Sequence, residues 1–404
     1  MHKNYKRVEI SFEKKQLEDY ATDEKKRIKK LGPLRAGIYK QRLDDLYAAT
    51  TLDNVSHPGT TLDEKLKEMG MSIKEFAVRT SKPEKTVIAI IKGDSSITPE
   101  MAVAFENVTK IPANFWMNRQ RIYDECVART KRHALIISFA DWAKKFPYAD
   151  MVNLGWVEKK TVQEEKTAVI LNFFGVSSPN AWENYYMNQQ LKVAFRISLA
   201  TTKEPYAISA WLRRGELQAS ETDVAGEYSD KLLRSMIPAM KDLMRRKPAD
   251  FPVQLQALCA KCGVKLIYTP CLKKAPISGS TRWINNIPCI QLSGRSKRYD
   301  IFWFSFFHEI GHILLHGKKE IFLEDIEYNE EQKAKEKQAD DFSADVLLSE
   351  KEMNNILDGN DFGTTAIKRY AAQYNTHPAI IVGRLQHLGI LPFAIHVDSF
   401  ELFN

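Results

Sequence analysis

Residues 301–315 read Ile-Phe-Trp-Phe-Ser-Phe-Phe-His-Glu-Ile-Gly-His-Ile-Leu-Leu, an apolar run interrupted by His308, Glu309 and His312. The run is shorter than the roughly 20 residues a bilayer span needs, and it carries ionisable groups, so it reads as a buried core helix. Four residues advance a helix by about 6 Å and return the chain to the same face. Both histidines can therefore point a ring nitrogen at one metal, with Glu309 placed to act as general base on water there. Two neutral imidazoles and one carboxylate suit a single Zn2+ with an open fourth position, where the pKa of water falls to about 7. Phe304, Phe307, Ile310, Leu314 and Leu315 are expected to pack around this polar trio.

A third ligand is required. His316 continues the four-residue series but sits about 12 Å along the axis from His308, too far to share the metal, and reads instead as a pocket-rim or capping histidine. Glu336, on the next predicted helix, is the better candidate. It shares a face with Asp340, which can accept the far N–H of a ligating histidine, while Ala339 permits close approach to the first helix. Phe342 and Leu347 are expected to bury the other side.

At 404 residues, 44% hydrophobic and 27% charged, the chain is expected to be a soluble protein of several domains. Five cysteines without a signal-peptide pattern predict reduced thiols and a cytoplasmic location, with Cys259 and Cys262 as buried helix residues. No membrane partner is expected. A net charge of +8 permits nucleic-acid contact without deciding it.

The fold class expected is multidomain and mainly α, ending in a small α+β domain. Residues 1–57 read as a strand, Tyr5 to Phe12, and two helices broken at Leu31-Gly32-Pro33, the second from Leu34 to Ala49. Residues 58–125 read as five short helices. Ser72 caps one that runs to Arg79, a turn follows over Thr80 to Lys82, and the next helix starts at Pro83. In it Val87, Ile90 and Ile91 form the buried stripe, so Lys85, Ala89 and Lys92 face outward as on the recognition helix of a helix-turn-helix. Lys82, Lys85, Thr86, Ala89 and Lys92 are the expected DNA contacts, although Glu64, Glu68, Glu75, Glu84 and Asp94 offset much of the phosphate attraction. Residues 126–245 read as a helical connector with a glycine stop at Gly175 and a core of Trp182, Tyr185, Tyr186, Phe195 and Trp211. Residues 246–404 read as a helix from Val253 to Cys262, then strands Val264 to Tyr268, Thr281 to Ile284 and Cys289 to Leu292 around Asn285-Asn286, leading into the zinc helix.

Three resemblances follow from these motifs. Lys29-Lys30-Leu31-Gly32-Pro33-Leu34-Arg35-Ala36 with residues 41–49 resembles the helical hairpin of HigB-type toxins of the RelE class, truncated before the sheet that carries their RNA-cleaving residues. Residues 62–124 resemble the HigA-type antitoxin subfamily of helix-turn-helix proteins through His57-Pro58-Gly59, Ile97-Thr98-Pro99 and residues 112–118. Residues 246–392 resemble the ImmA/IrrE family of bacterial metallopeptidases through residues 278–283, 302–320, 336–348 and 381–387, and the Glu-x-x-Ala-Asp spacing after HExxH is similar to that of thermolysin-like zinc peptidases.

The last resemblance implies a regulatory zinc metallo-endopeptidase that cleaves a nearby-encoded helix-turn-helix repressor, antitoxin or toxin partner. Arg282, Trp283, His316 and Arg384 are then candidates for the substrate pocket, and Tyr328, His316 and Arg384 remain open as oxyanion partners. Operator DNA and a homodimer follow by analogy with helix-turn-helix proteins. The alternative is a non-proteolytic antitoxin or repressor that neutralises a neighbouring toxin and uses the zinc domain as sensor or structural element.

Overall fold

The computed structural model describes residues 23–31, 56–189, 204–273, 275, 277–317, 322–323 and 330–394. The strand expected over Tyr5 to Phe12, the helix over Leu34 to Ala49, Phe195 and Tyr328 lie outside the described residues. Helix α1 is described over Glu24–Leu31, and the break expected at Gly32-Pro33 lies outside the described residues. The chain divides into two compact units, residues 1–138 and 139–404.

The first unit holds α2 (Pro58–Glu68), α3 (Ile73–Arg79), α4 (Glu84–Lys92), α5 (Pro99–Thr109) and α6 (Ala113–Ser138). Their apolar stripes meet in a core of Leu62, Leu66, Phe76, Val87, Ile90, Phe105 and Trp116, with the Phe76 and Phe105 rings 4.9 Å apart. α2 begins at Pro58, which occupies the first turn, where its missing N–H costs nothing. Gly59 is required: a Cβ there would overlap the Ile90 carbonyl, so α2 and α4 touch backbone to backbone. Ser72 caps α3 through Glu75 N at 3.1 Å, and Glu75 turns to Arg79 instead of completing the capping box. The turn between α3 and α4 places Ser81 at φ 52°, and Gly93 closes α4 in the left-handed conformation.

The fifth helix is not short. With no glycine or proline after Pro112, α6 continues to Ser138, so the expected boundary at 125 falls inside a helix. Gln120 on α6 is buried and accepts the Ile97 N–H at 2.9 Å, while Thr98 caps and Pro99 starts α5. The Ile97-Thr98-Pro99 pattern is thus a helix-start device.

In the second unit, α7 (Gln163–Phe174) is stopped by Gly175 at φ 66°, and α8 (Pro205–Ser220), α9 (Asp230–Arg246) and α10 (Phe251–Lys261) follow. Trp182, Tyr186 and Trp211 are buried as expected, whereas Tyr185 is 37% exposed. Strands β1 (Lys265–Tyr268), β2 (Gly279–Ile284) and β3 (Ile287–Leu292) precede α11 (Tyr299–His316) and β4 (Phe322–Leu323). Next come α12 (Glu330–Leu347), α13 (Glu350–Gly359), α14 (Thr364–Gln373) and α15 (Pro378–His387). The strand order is β1-β3-β2-β4, with β1 parallel to β3 and the other pairs antiparallel. Asn285 and Asn286, at φ 50° and 65°, make the tight β2–β3 turn.

The two-residue period of the strands gives the sheet two covered faces. Ile290 and Leu292 join the main core on the α11 side, with Phe302, Trp303, Phe306 and Phe307. On the other face Cys289 and Ile267 pack with Ala219 of α8. Arg282 points the same way: its guanidinium donates to Glu216 Oε1 (3.1 Å), Leu212 O (2.6 Å) and Gln291 Oε1 (3.2 Å). Gln291 in turn donates to Trp211 O at 2.8 Å, and Gly215 is the position over which its amide fits. Arg282 is therefore a buried tie between sheet and α8 and does not line a substrate pocket. Trp283 packs edge-on against Tyr228, with ring centroids 5.1 Å apart, as part of the core wall. Among the described residues no helix is long and apolar enough to cross a membrane.

Removing Arg282 leaves Glu216 facing the sheet with one cation fewer, a change that typically costs about 3–5 kcal/mol. Arg282→Leu is expected to lower unfolding stability by about that amount in urea titrations followed by far-ultraviolet circular dichroism; an unchanged midpoint would remove the tie.

Candidate metal centre

Helices α11 and α12 cross where Gly311 faces Ala339. A Cβ on Gly311 would lie 3.2 Å from Ala339 Cα and 3.2 Å from Phe342 Cδ1, so the two backbones nearly touch. Ser343 fastens the pair by donating its hydroxyl to Phe304 O at 2.8 Å. This contact brings His308 and His312, one turn apart on α11, opposite Glu336 and Asp340, one turn apart on α12.

Donor atoms of His308, His312 and Glu336 all lie within 4.8 Å of one another. His308 Nε2 is 2.9 Å from His312 Nε2 and 3.2 Å from Glu336 Oε2, and His312 Nε2 is 3.5 Å from Glu336 Oε1. Tetrahedral ligands at ~2.0–2.1 Å from zinc stand ~3.3 Å apart, so the observed spacings bracket what such an ion asks. Both histidines are almost fully buried.

The outer nitrogens are also engaged. His308 Nδ1 is 2.9 Å from Asp340 Oδ1, as expected of a carboxylate that accepts the far N–H of a ligating histidine. His312 Nδ1 is 3.0 Å from His316 Nδ1, and His316 Nε2 is 3.0 Å from Gln338 Oε1. The amide oxygen only accepts, so His316 Nε2 carries the proton and its Nδ1 accepts from His312 Nδ1–H. With a cation bound, the two inner Nε2 atoms, 2.9 Å apart, would turn their lone pairs on it. His316, half-buried, is not among the three donor residues and contacts His312 from the outside. That relay was not foreseen, and the only signal for it in the sequence is the repeated four-residue spacing.

Glu309 is fully buried. Its carboxylate lies against β2 at Gly279, where any Cβ would overlap Oε1, and its backbone carbonyl accepts from Thr281 Oγ1 at 3.1 Å. Gly279 and Thr281 thus position the general-base candidate, a role the sequence reading did not assign. Leu315, expected in the core, is 45% exposed at the end of α11. Arg384 lies on α15, half-buried, on a cavity wall that includes Asp340 but none of the three donor residues.

On the first unit, Lys85 and Lys92 are exposed on α4, with Lys82, Thr86 and Ala89 half-buried beside them. The helix-turn-helix family matches residues 62–116. A regulator of Escherichia coli (strain K12), named Uncharacterized HTH-type transcriptional regulator YddM, is 30% identical over 70 residues, which cover 17% of this chain and 74% of that protein. The chain belongs to the helix-turn-helix regulators. It also carries an IrrE N-terminal-like domain of the M78 peptidase family, matched over residues 259–375, which takes in the whole donor set. A solved structure titled an addiction module antidote protein of a HigA family, from Coxiella burnetii, is 33% identical and covers 19% of this chain and 85% of its own, at a TM-score of 0.19.

In the IrrE-like domain, burial first, and secondarily the charge of His308, push the metal-free His312 imidazole down to about 4 against the raising influence of Glu336. For Glu336 burial works upward, but contacts with His308 and then His312 outweigh it and hold the carboxyl at about 2. A histidine near 6.5 when unfolded and about 4 when folded stabilises the fold above 6.5 and loses that contribution as pH falls toward 4, up to about 3 kcal/mol. The metal-free protein should therefore lose stability between pH 6.5 and 4 more steeply than its His312→Gln variant. Parallel slopes in calorimetry would contradict a neutral buried His312.

Proposed function

We propose that the IrrE-like domain is a zinc-dependent endopeptidase that cuts a partner protein, and that the helix-turn-helix binds operator DNA. The observation that carries the peptidase half is the buried Glu309 next to a His308, His312 and Glu336 donor set whose Nε2 atoms are both oriented inward. These three residues would hold the ion. Zinc in such a set supplies Lewis-acid polarisation of a carbonyl and lowers the pKa of water to about 7.

The chain's own residues supply the rest. Glu309 takes a proton from the attacking water as the new C–O bond forms, then delivers it to the leaving amide nitrogen as the C–N bond breaks. Gly279 leaves room for that carboxylate, Thr281 anchors the Glu309 backbone carbonyl, and Asp340 and His316 hold the imidazole tautomers. The partner class is a helix-turn-helix repressor, an antitoxin or its toxin, and the helix-turn-helix of this chain brings the peptidase to the regulated locus, as a dimer if it follows common practice for such modules.

Glu309→Gln is expected to retain one zinc per chain while partner fragments disappear from co-expression with the neighbouring gene products, read by metal analysis and mass mapping. Fragments still produced by the variant would remove the mechanism, and intact partners with the wild type would favour the non-proteolytic regulator. For the DNA half, Lys85→Ala with Lys92→Ala should weaken promoter binding and reduce the salt slope by about 2, in filter-binding titrations across salt. Unchanged affinity would take α4 out of the groove.

A further inference from the structure

A cavity of about 500 Å³ opens where α11, α12 and α15 meet, with Asp340 on its wall and none of the three donor residues. Its volume falls in the range that holds small molecules. The wall is largely apolar, through Ile301, Phe304, Leu347 and Ile380. Its charges are nearly all committed. Arg298 is held by both oxygens of Asp300 (3.1 and 2.7 Å) and by Gln386 Oε1 (2.7 Å). Asp341 pairs with Lys337 at 2.6 Å, and Asp340 accepts from His308. Among the arginines and aspartates Arg384 is the exception: half-buried on the wall, beside the exposed His387, it has no hydrogen-bond or ion-pair partner among the described residues. Gly383 beside it leaves room for Asp300, which a Cβ would overlap, so α15 is pressed close and its next side chain, Arg384, borders the cavity.

We propose that this cavity is a binding site for a small amphipathic carboxylate, its anion against Arg384 and its alkyl or aryl body against Phe304 and Ile380. A guanidinium matches a carboxylate with two parallel N–H donors, and an apolar wall favours a body that leaves water. A substrate peptide is the poorer fit. The cavity borders the metal centre through Asp340, on the Nδ1 side of His308, and through Phe304, whose ring lies 6.4 Å from that of His308, whereas none of the three donor residues lines it and Glu309 faces β2. The proposal does not rest on proteolysis, because its readout is binding.

The test uses the full chain with isotope-labelled isoleucine methyls, titrated with 3-phenylpropionate and, separately, with the neutral 3-phenylpropanamide. Saturable shifts of the Ile301 and Ile380 methyls are expected, with the carboxylate bound about tenfold tighter than the amide, as one charge-assisted contact supplies. Arg384→Gln should equalise the two ligands, and Ala344→Phe, which fills the cavity from α12, should abolish both while leaving the circular dichroism spectrum unchanged. No saturable shift, equal binding by the wild type, or a preference that survives in Arg384→Gln would each overturn the site. Tighter binding of an acetylated Phe-Glu amide than of 3-phenylpropionate would overturn the small-molecule assignment and make the cavity a peptide subsite.

Discussion

The contact between Gly311 and Ala339 is the constraint on which the site depends. A glycine inside a helix costs about 1 kcal/mol relative to alanine, so its presence asks for a packing reason, and the near-contact of two backbones is that reason. Because the helices meet there, two pairs of residues with the same four-residue spacing face one another. One imidazole can then touch Glu336 with one nitrogen and Asp340 with the other. Even a Cβ at Gly311 would press on Ala339 and Phe342 by a few tenths of an ångström, on the scale of the spread between 2.9 and 3.5 Å that the donor atoms show.

The polar centre sits in a heavily aromatic surround. Trp303, Phe306 and Phe307 are buried beside it, and the sheet backs it through Gly279 and Thr281. The opposite face of the same sheet carries a second buried polar system, Arg282, Gln291 and Glu216, which locks α8 in place. A thin four-stranded sheet thus has one face toward the donor set and one for attachment, and alternation along β2 assigns each residue to its face.

Local periodicity made much of this legible. His308, Glu309 and His312 share one helix, and the ends of α3, α5 and α7 follow from Ser72, Thr98-Pro99 and Gly175. Glu336 and Asp340 could be placed because they too share one helix face, and Ala339 because a small residue between them permits approach. What stayed hidden were relations across long separations. Arg282 looked like a pocket residue because its partner, Glu216, is 66 positions away. Gly279 carries no side chain to advertise its contact with Glu309, and His316 could be excluded as a ligand by rise per residue without revealing that Gln338 fixes its tautomer. The extent of α6 was missed because the eye follows motifs, whereas a helix ends only where a stop residue or a cap tells it to.

The donor set has an uneven spacing along the chain: the histidines are four positions apart, but Glu336 comes 24 positions after His312. In polymer terms the third ligand closes a loop, and bringing together chain ends that far apart costs about 3 kcal/mol in configurational entropy. Without an ion that cost falls on the α11–α12 contact alone. An ion gripped by all three residues contributes its binding free energy to the same closure, so it works as a clasp as well as a reagent. Supply of a fitting ion would then govern how long the helix pair survives unfolding and proteolysis, making the lifetime of the chain itself a measure of the metal around it.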